Sequence, residues 1–332
     1  MLLWKVIDYT NKYFYKMEKR QLGNSDLHIN PVVFGGNVFG WTIDEKQSFE
    51  ILNHFTESGF NAIDTADVYS RWADGNSGGE SEIIIGKWMK EKKNRDEIIL
   101  MTKVGSDMGD DKKGLKKEYI IKAAENSLKR LQTDYIDLYQ THFDDESTPV
   151  QETLEAYEQL HKAGKIRWIG ASNMSLDRLK ESLDVSAKQN LPMYQSLQPH
   201  YNLFTRDKFE DGFEPICLGH QLGVITYYSL ESGFLTGKYR TKEDLGKSAR
   251  GGKMDKYFTD RGFKILEALD KVAADYSTTQ AAVALAWLIQ RPSVTAPIVS
   301  ATTVKQLESI KKAPELNLDA NAIGFLTSAS AW

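Results

Sequence analysis

Residues 120–139 read IIKAAENSLKRLQTDYIDLY: an apolar stripe at Ile120, Ile121, Ala124, Leu128 and Leu131, then the run Tyr135-Ile-Asp-Leu-Tyr139. The first part repeats at helical spacing, and the second is a strand-length run of aromatic and aliphatic side chains. Upstream, Ile98-Ile-Leu-Met101 is another such run, so the segment reads strand, helix, strand. Strands apolar on both faces and joined by helical crossovers run parallel, beneath a covering layer of helices.

The same alternation extends in both directions. Further strands are expected at Val32-Val33-Phe34, Ala62-Ile63-Asp64, Ile166 to Gly170, Tyr194 to Leu197, Val224 to Tyr227 and Ala296 to Val299, which makes eight. Helical patterns carry Ile51, Leu52 and Phe55 early in the chain, and Leu154, Tyr157 and Leu160 after the fourth strand. Eight such units are the number that closes into a barrel, so the expected fold is α/β, a (β/α)8 TIM barrel. An open doubly wound sheet is the competitor, but its glycine-rich G-x-G-x-x-G turn is missing: Gly35-Gly36 runs into Asn37-Val38-Phe39-Gly40. Residues 17–30, with Gly23-Asn24-Ser25-Asp26 at their centre, read as a β-hairpin ahead of the barrel. No proline- or serine-rich linker divides the chain, which gives one barrel domain over residues 17–332 and an N-terminal extension over 1–16.

Composition restricts the function class. Lys and Arg total 42 against 46 Asp and Glu, a net charge of −4, and no block of five like charges exists, so neither nucleic acid nor an anionic membrane is an expected partner. The lysines of residues 112–117 follow Asp107, Asp110 and Asp111 and read as a solvated loop. The longest apolar run, Ala281 to Ile289, is about half of the ~18 to 20 residues a membrane span requires. One cysteine, Cys217, and a poor signal-peptide pattern in the first sixteen residues favour the reducing cytoplasm.

Barrel enzymes build their sites at the C-terminal ends of the strands. Polar residues expected there are Asp64, Lys103, His142, Ser172, Asn173 and Gln198, with Tyr69 five residues beyond Asp64. A phenol, at pKa ~10, is a poor acid at neutral pH, and an ammonium beside it favours its ionised form. Tyr69 with Lys103 supplies such a pair, Asp64 would hold the lysine, and His142 could donate a hydrogen bond to a carbonyl oxygen. Two long loops, Val68 to Ser81 and Leu230 to Met254, read as lids on that face, and Trp41, Trp72 and Phe143 as the lining of a substrate pocket.

These residues carry a resemblance to the aldo-keto reductase family. Asn61-Ala-Ile-Asp64-Thr-Ala-Asp-Val-Tyr69, Met101-Thr-Lys103, Asp137-Leu-Tyr-Gln-Thr-His142 and Ile169-Gly-Ala-Ser172-Asn173 resemble its signatures in family order. Gln198-Pro-His-Tyr201 and the stretch from Tyr227 to Tyr239 continue the likeness, which spans residues 18 to about 312. The resemblance implies a carbonyl reductase in which Tyr69 is the general acid, Asp64 and Lys103 are its electrostatic support, and His142 orients the carbonyl. It also implies that Ser172, Asn173 and Gln198 hold a nicotinamide carboxamide and Tyr227 stacks on the ring. Leu230, Ser232, Gly233, Leu235, Gly237 and Lys238 would wrap the pyrophosphate. Gly36, Asn37, Ser300, Thr302 and Gln306 complete the expected cofactor contacts.

The chain departs from the family pattern at Ser229, where proline is usual, and in the segment Ser300 to Ile310, which lacks the common asparagine. That segment offers only Lys305 as a cation for an adenosine 2′-phosphate. NADPH is the expected cofactor, with NADH as the alternative, no metal is expected, and the partner is a small carbonyl compound.

Two other classes fit parts of this reading. Potassium-channel regulatory subunits on the same barrel bind nicotinamide and act mainly as interaction partners, and a metal-dependent hydrolase would need more strand-end ligands than the histidines supply. His28, His54, His161, His200 and His220 read as surface or packing residues. Taken alone, Ser172-Asn173 could cap the helix that begins near Ser175.

Overall fold

A computed structural model of the chain describes residues 18–109, 112–248 and 251–332; the extension expected over residues 1–16 lies outside the described residues. The chain enters through an antiparallel hairpin, β1 (Arg20–Gln21) and β2 (His28–Ile29). Eight strands follow: β3 (Val33–Gly35), β4 (Ala62–Asp64), β5 (Ile99–Val104), β6 (Ile136–Thr141), β7 (Ile166–Ser172), β8 (Ser196–Gln198), β9 (Gly223–Thr226) and β10 (Ala296–Val299). Each pairs in parallel with its neighbours, and β10 returns to β3, closing the barrel.

The expected strands are all present, and several run past the expected ends. β5 continues through Thr102 and Lys103 to Val104, and β6 through Gln140 and Thr141, so Lys103 sits inside its strand rather than after it. An apolar run stops at the first polar residue, whereas the ladder does not: the backbone pairs Lys103 with Gln140 and Val104 with Thr141. The sixth strand begins later than expected, at Ser196, where its pairing with β7 starts opposite Gly170; the buried Tyr194 hydroxyl meets Thr141 Oγ1 at 2.8 Å.

Helices α1 (Glu45–Glu57), α2 (Glu80–Lys92), α3 (Lys117–Leu131), α4 (Val150–Lys162) and α5 (Leu176–Gln189) cover the first half of the barrel. The short α6 (Glu214–Gly219), then α7 (Asp260–Asp275), α8 (Gln280–Ile289), α9 (Val304–Lys311) and α10 (Ala320–Ala329) cover the second. Several start at a side-chain cap, including a reciprocal Asp44–Gln47 box at α1. The nine-residue apolar run lies in α8, buried from Ala282 to Ile289, and no helix among the described residues is long and apolar enough to cross a membrane.

Inside the barrel, Val33, Ala62, Met101, Leu138, Ile225, Ala296 and Ile298 form one apolar layer. Leu22, Leu27 and Ile29 of the hairpin segment pack onto it and close the N-terminal end. Successive side chains of a strand alternate in direction, so two residues further along each strand the chain again faces inward. From Ala62 that step reaches Asp64, from Met101 it reaches Lys103, and from Leu138 it reaches Gln140. The apolar layer is the floor on which a polar layer stands at the C-terminal face.

Candidate active site

The polar layer is built around Asp64, the last residue of β4 and 1% exposed. Its Oδ2 accepts from Lys103 Nζ at 2.6 Å, while Oδ1 accepts from Gln140 Nε2 at 3.0 Å and Gln198 Nε2 at 3.1 Å. A buried carboxylate is tolerable only when its lone pairs are occupied, and here three donors converge on it.

Lys103 is fully buried, and its ammonium spends its hydrogens on three acceptors: Asp64 Oδ2, the Thr65 carbonyl at 2.7 Å and the Tyr69 hydroxyl at 2.9 Å. Burial pulls the lysine below its usual value, with Asp64 opposing that fall. Three donors matched to three acceptors fit the charged form. Tyr69 sits on the turn after β4, held there because Ser70, in a left-handed conformation at φ 72°, donates its hydroxyl to the Phe39 carbonyl at 2.6 Å. The Tyr69 hydroxyl also lies 3.4 Å from Asp64 Oδ2, a long contact.

His142 follows β6 directly, its N–H donating to the Val104 carbonyl at 2.8 Å. Its ring meets Tyr69 edge-on at 5.9 Å, and its Nδ1 lies 2.8 Å from Ser106 Oγ. Burial, helped by the Lys103 charge, holds this imidazole well below its ordinary value, so it is neutral. Rings extend from this centre: Trp72 lies 6.0 Å from Tyr69, Trp41 lies 5.5 Å from Trp72, and Phe143 lies 4.9 Å from His142. Trp72 and Phe143 are about half exposed, giving the mouth an aromatic rim.

Asn173 links three strand ends. Its Nδ2 donates to the His142 carbonyl at 2.8 Å and to Ser172 Oγ at 3.1 Å, and its Oδ1 accepts the Tyr227 hydroxyl at 2.9 Å. The cap of α5 is Ser175, whose hydroxyl accepts from Arg178 N, so Ser172 and Asn173 are not its cap. The Tyr227 ring stacks on His200 at 5.2 Å, and burial pushes its phenol up to about 12. Gln198 donates its amide hydrogens inward to Asp64 and Gln140, and its Oε1 has no protein partner among the described residues.

Beyond Tyr227 the backbone turns through a left-handed run, with Glu231, Ser232 and Gly233 at φ 46°, 54° and 100°. The buried Glu231 carboxylate pins this run by accepting from His200 Nε2 at 2.8 Å, from Thr205 Oγ1 at 3.2 Å, and from Asn202 and Tyr257. Burial alone would raise that carboxyl, but His200 and the hydroxyl and amide donors outweigh it and hold it below its usual value. Leu230 and Leu235 pack inward here, and Gly237 gives way to the Gln280 side chain. Lys238 Nζ lies 4.9 Å from the Tyr239 ring.

The remaining expected residues fall into three groups. Ser300 donates to the Gly35 carbonyl and to Asn37 Oδ1, which joins β10 to β3 at the same face. Gln306 Oε1 accepts from Thr302 N at 2.7 Å at the start of α9. Gly36 is packed: its carbonyl accepts the Ser81 hydroxyl, and a Cβ there would lie 2.8 Å from Ser81 Oγ.

Sequence reasoning missed Gln140, Ser106, Glu231 and a buried charge cluster behind Lys103. In that cluster Glu82 accepts from Thr102 Oγ1 and Arg130 Nε, both at 2.6 Å. Nearby, burial and the Glu82 charge push the Asp67 carboxyl up to about 8, and its Oδ1 has no hydrogen-bond partner among the described residues. Gln140 was within reach of strand parity, two residues before His142. Glu231 carried no local signal because its donors come from distant segments. His200, expected as a surface or packing residue, packs against the site itself.

Comparison with known proteins agrees with this geometry. The Aldo/keto reductase family model matches residues 31–331. Aldo-keto reductase YhdN of Bacillus subtilis (strain 168) is 35% identical over 295 residues, 87% of this chain and 84% of that protein. Uncharacterized oxidoreductase YrpG of the same organism is 33% identical over 318 residues, 93% of this chain and 95% of that one. A probable voltage-gated potassium channel subunit beta of Arabidopsis thaliana is 31% identical over 310 residues, covering 90% and 91% of the two chains.

Proposed function

The chain belongs to the aldo/keto reductase family and is an oxidoreductase; from that premise we propose that it reduces aldehydes or ketones to alcohols with a nicotinamide cofactor, Tyr69 giving the proton. The observation that carries this reading is the Lys103 ammonium 2.9 Å from the Tyr69 hydroxyl, itself held by Asp64 at 2.6 Å. A cation at that distance stabilises charge developing on the phenol oxygen as its proton leaves. His142, neutral and set edge-on to Tyr69, orients the carbonyl oxygen.

The residues at the mouth fit a nicotinamide nucleotide. Gln198 Oε1 is free to accept from a carboxamide, with Asn173 and Ser172 beside it, and the Tyr227 ring stands nearby, steadied by His200 and Asn173. The left-handed run at residues 231–233 turns backbone N–H groups in a way suited to phosphate oxygens, with Lys238 as a cation beside it. We assign Ser300, Asn37, Thr302 and Gln306 to the adenosine end, with Lys305 as the cation suited to a 2′-phosphate, and NADPH over NADH as the cofactor. When bound, the cofactor supplies the hydride. Trp41, Trp72 and Phe143 line the entrance and suit a carbonyl substrate with an apolar body. We place this activity in the cytoplasm, where Cys217 stays a thiol, on one barrel domain over residues 17–332.

Likeness to a potassium channel subunit supplies a second reading, a cofactor-binding interaction protein with little turnover. Fluorescence titration of the purified protein with NADPH and with NADH, followed by cofactor oxidation with an aromatic aldehyde, separates the two. Tight NADPH binding with turnover is expected. Binding without turnover across a panel of carbonyl compounds would favour the second reading, and no binding would refute both.

A further inference from the structure

His142 has two ring nitrogens, and only one of them is occupied by the protein. Nδ1 lies 2.8 Å from Ser106 Oγ, while Nε2 has no partner among the described residues. Ser106 follows Gly105, which sits at φ 111° and so close to the segment after β6 that a Cβ on it would lie 2.8 Å from the Phe143 carbonyl oxygen.

The direction of this hydrogen bond follows from what else the serine can do. Ser106 is 6% exposed, and among the described residues its hydroxyl has His142 Nδ1 as its one partner. If Nδ1 carried the proton, Ser106 would accept it and its own hydroxyl hydrogen would be buried without an acceptor. An orphaned buried donor is costlier than an under-used oxygen lone pair. The hydroxyl therefore donates to Nδ1, and in a neutral imidazole the proton then resides on Nε2.

We propose that Ser106 is a positioning residue that locks His142 as the Nε2–H tautomer, so that the histidine presents a donor at the barrel mouth. For the carbonyl reduction proposed above, on which its catalytic consequence rests, this selects substrates offering an acceptor oxygen to that N–H. The tautomer itself is a property of the protein alone and can be read without substrate or cofactor.

Long-range proton–nitrogen correlation spectra of protein labelled with 15N-histidine report which ring nitrogen is protonated, with the His142 signals assigned by their loss in His142→Gln. The native protein should show an unprotonated Nδ1 and a protonated Nε2. Ser106→Ala should move the signals toward a tautomer mixture, and Ser106→Thr, which keeps a hydroxyl, should restore them. With an aldehyde substrate, Ser106→Ala should lower kcat at least about tenfold with a smaller change in KM. A native protein with the proton on Nδ1, or an Ala variant with unchanged signals, overturns the proposal. Altered signals with undiminished turnover leave the Ser106 assignment standing and count instead against His142 as the carbonyl donor.

Discussion

At the scale of single residues, the site depends on Lys103 being charged without access to water. Its three acceptors and the three donors on Asp64 make the pair mutually dependent, so removing one member strands the other. Lys103→Met should lower stability by about 3–5 kcal/mol, read from urea denaturation, because a buried carboxylate loses its cation. A loss below about 1 kcal/mol would mean that the pair is not the structural centre described. Asp67 gives a pH-dependent counterpart. Its carboxyl, ordinarily near 3.8, is raised to about 8 in the fold by burial and the Glu82 charge. Between those values the folded chain holds a proton that the unfolded chain has released, so stability falls as pH rises through that window. Asp67→Asn cannot ionise and escapes this fall. Its stability advantage over the native protein should grow from pH 4 to 8 and then level off; an advantage that does not change with pH contradicts the raised carboxyl.

At the scale of elements, strand alternation explains what could be read from sequence. Asp64, Lys103 and Gln140 stand two residues beyond Ala62, Met101 and Leu138, and strand parity assigns all three to the interior once the apolar layer is recognised. The reading of apolar runs stopped short at Thr102 and Gln140, because polar residues inside a barrel are paid for by partners on other strands. Glu231 was illegible for the same reason, since His200, Asn202, Thr205 and Tyr257 approach it only in the folded chain. This carboxylate offsets the strain of consecutive left-handed residues, including itself and Ser232. Glu231→Ala should release the segment, weakening NADPH binding at least about tenfold and exposing residues 230–248 to limited proteolysis. Unchanged affinity would show that the carboxylate does not hold the cofactor segment.

Across the whole molecule, the hairpin's apolar packing and the candidate site occupy opposite ends of the barrel. The hairpin, legible from its Gly23-Asn24-Ser25-Asp26 turn, closes the N-terminal end with Leu22, Leu27 and Ile29, while Asp64, Lys103, Tyr69 and His142 gather at the other. Leu27, fully buried, should cost about 2–5 kcal/mol when replaced by alanine, seen as a lower Tm. Turnover per folded molecule should be unaffected, and a matching loss of kcat at a temperature where the variant is folded would contradict this division.

The most direct test is a single-turnover comparison of the native protein and Tyr69→Phe, each loaded with NADPH and mixed with an aromatic aldehyde while the nicotinamide absorbance is followed. Both should bind the cofactor alike, since only a hydroxyl is removed from a site held by Lys103 and Asp64. The native protein should oxidise it, and the variant should do so about a hundredfold or more slowly. A variant as fast as the native protein would show that the proton comes from elsewhere.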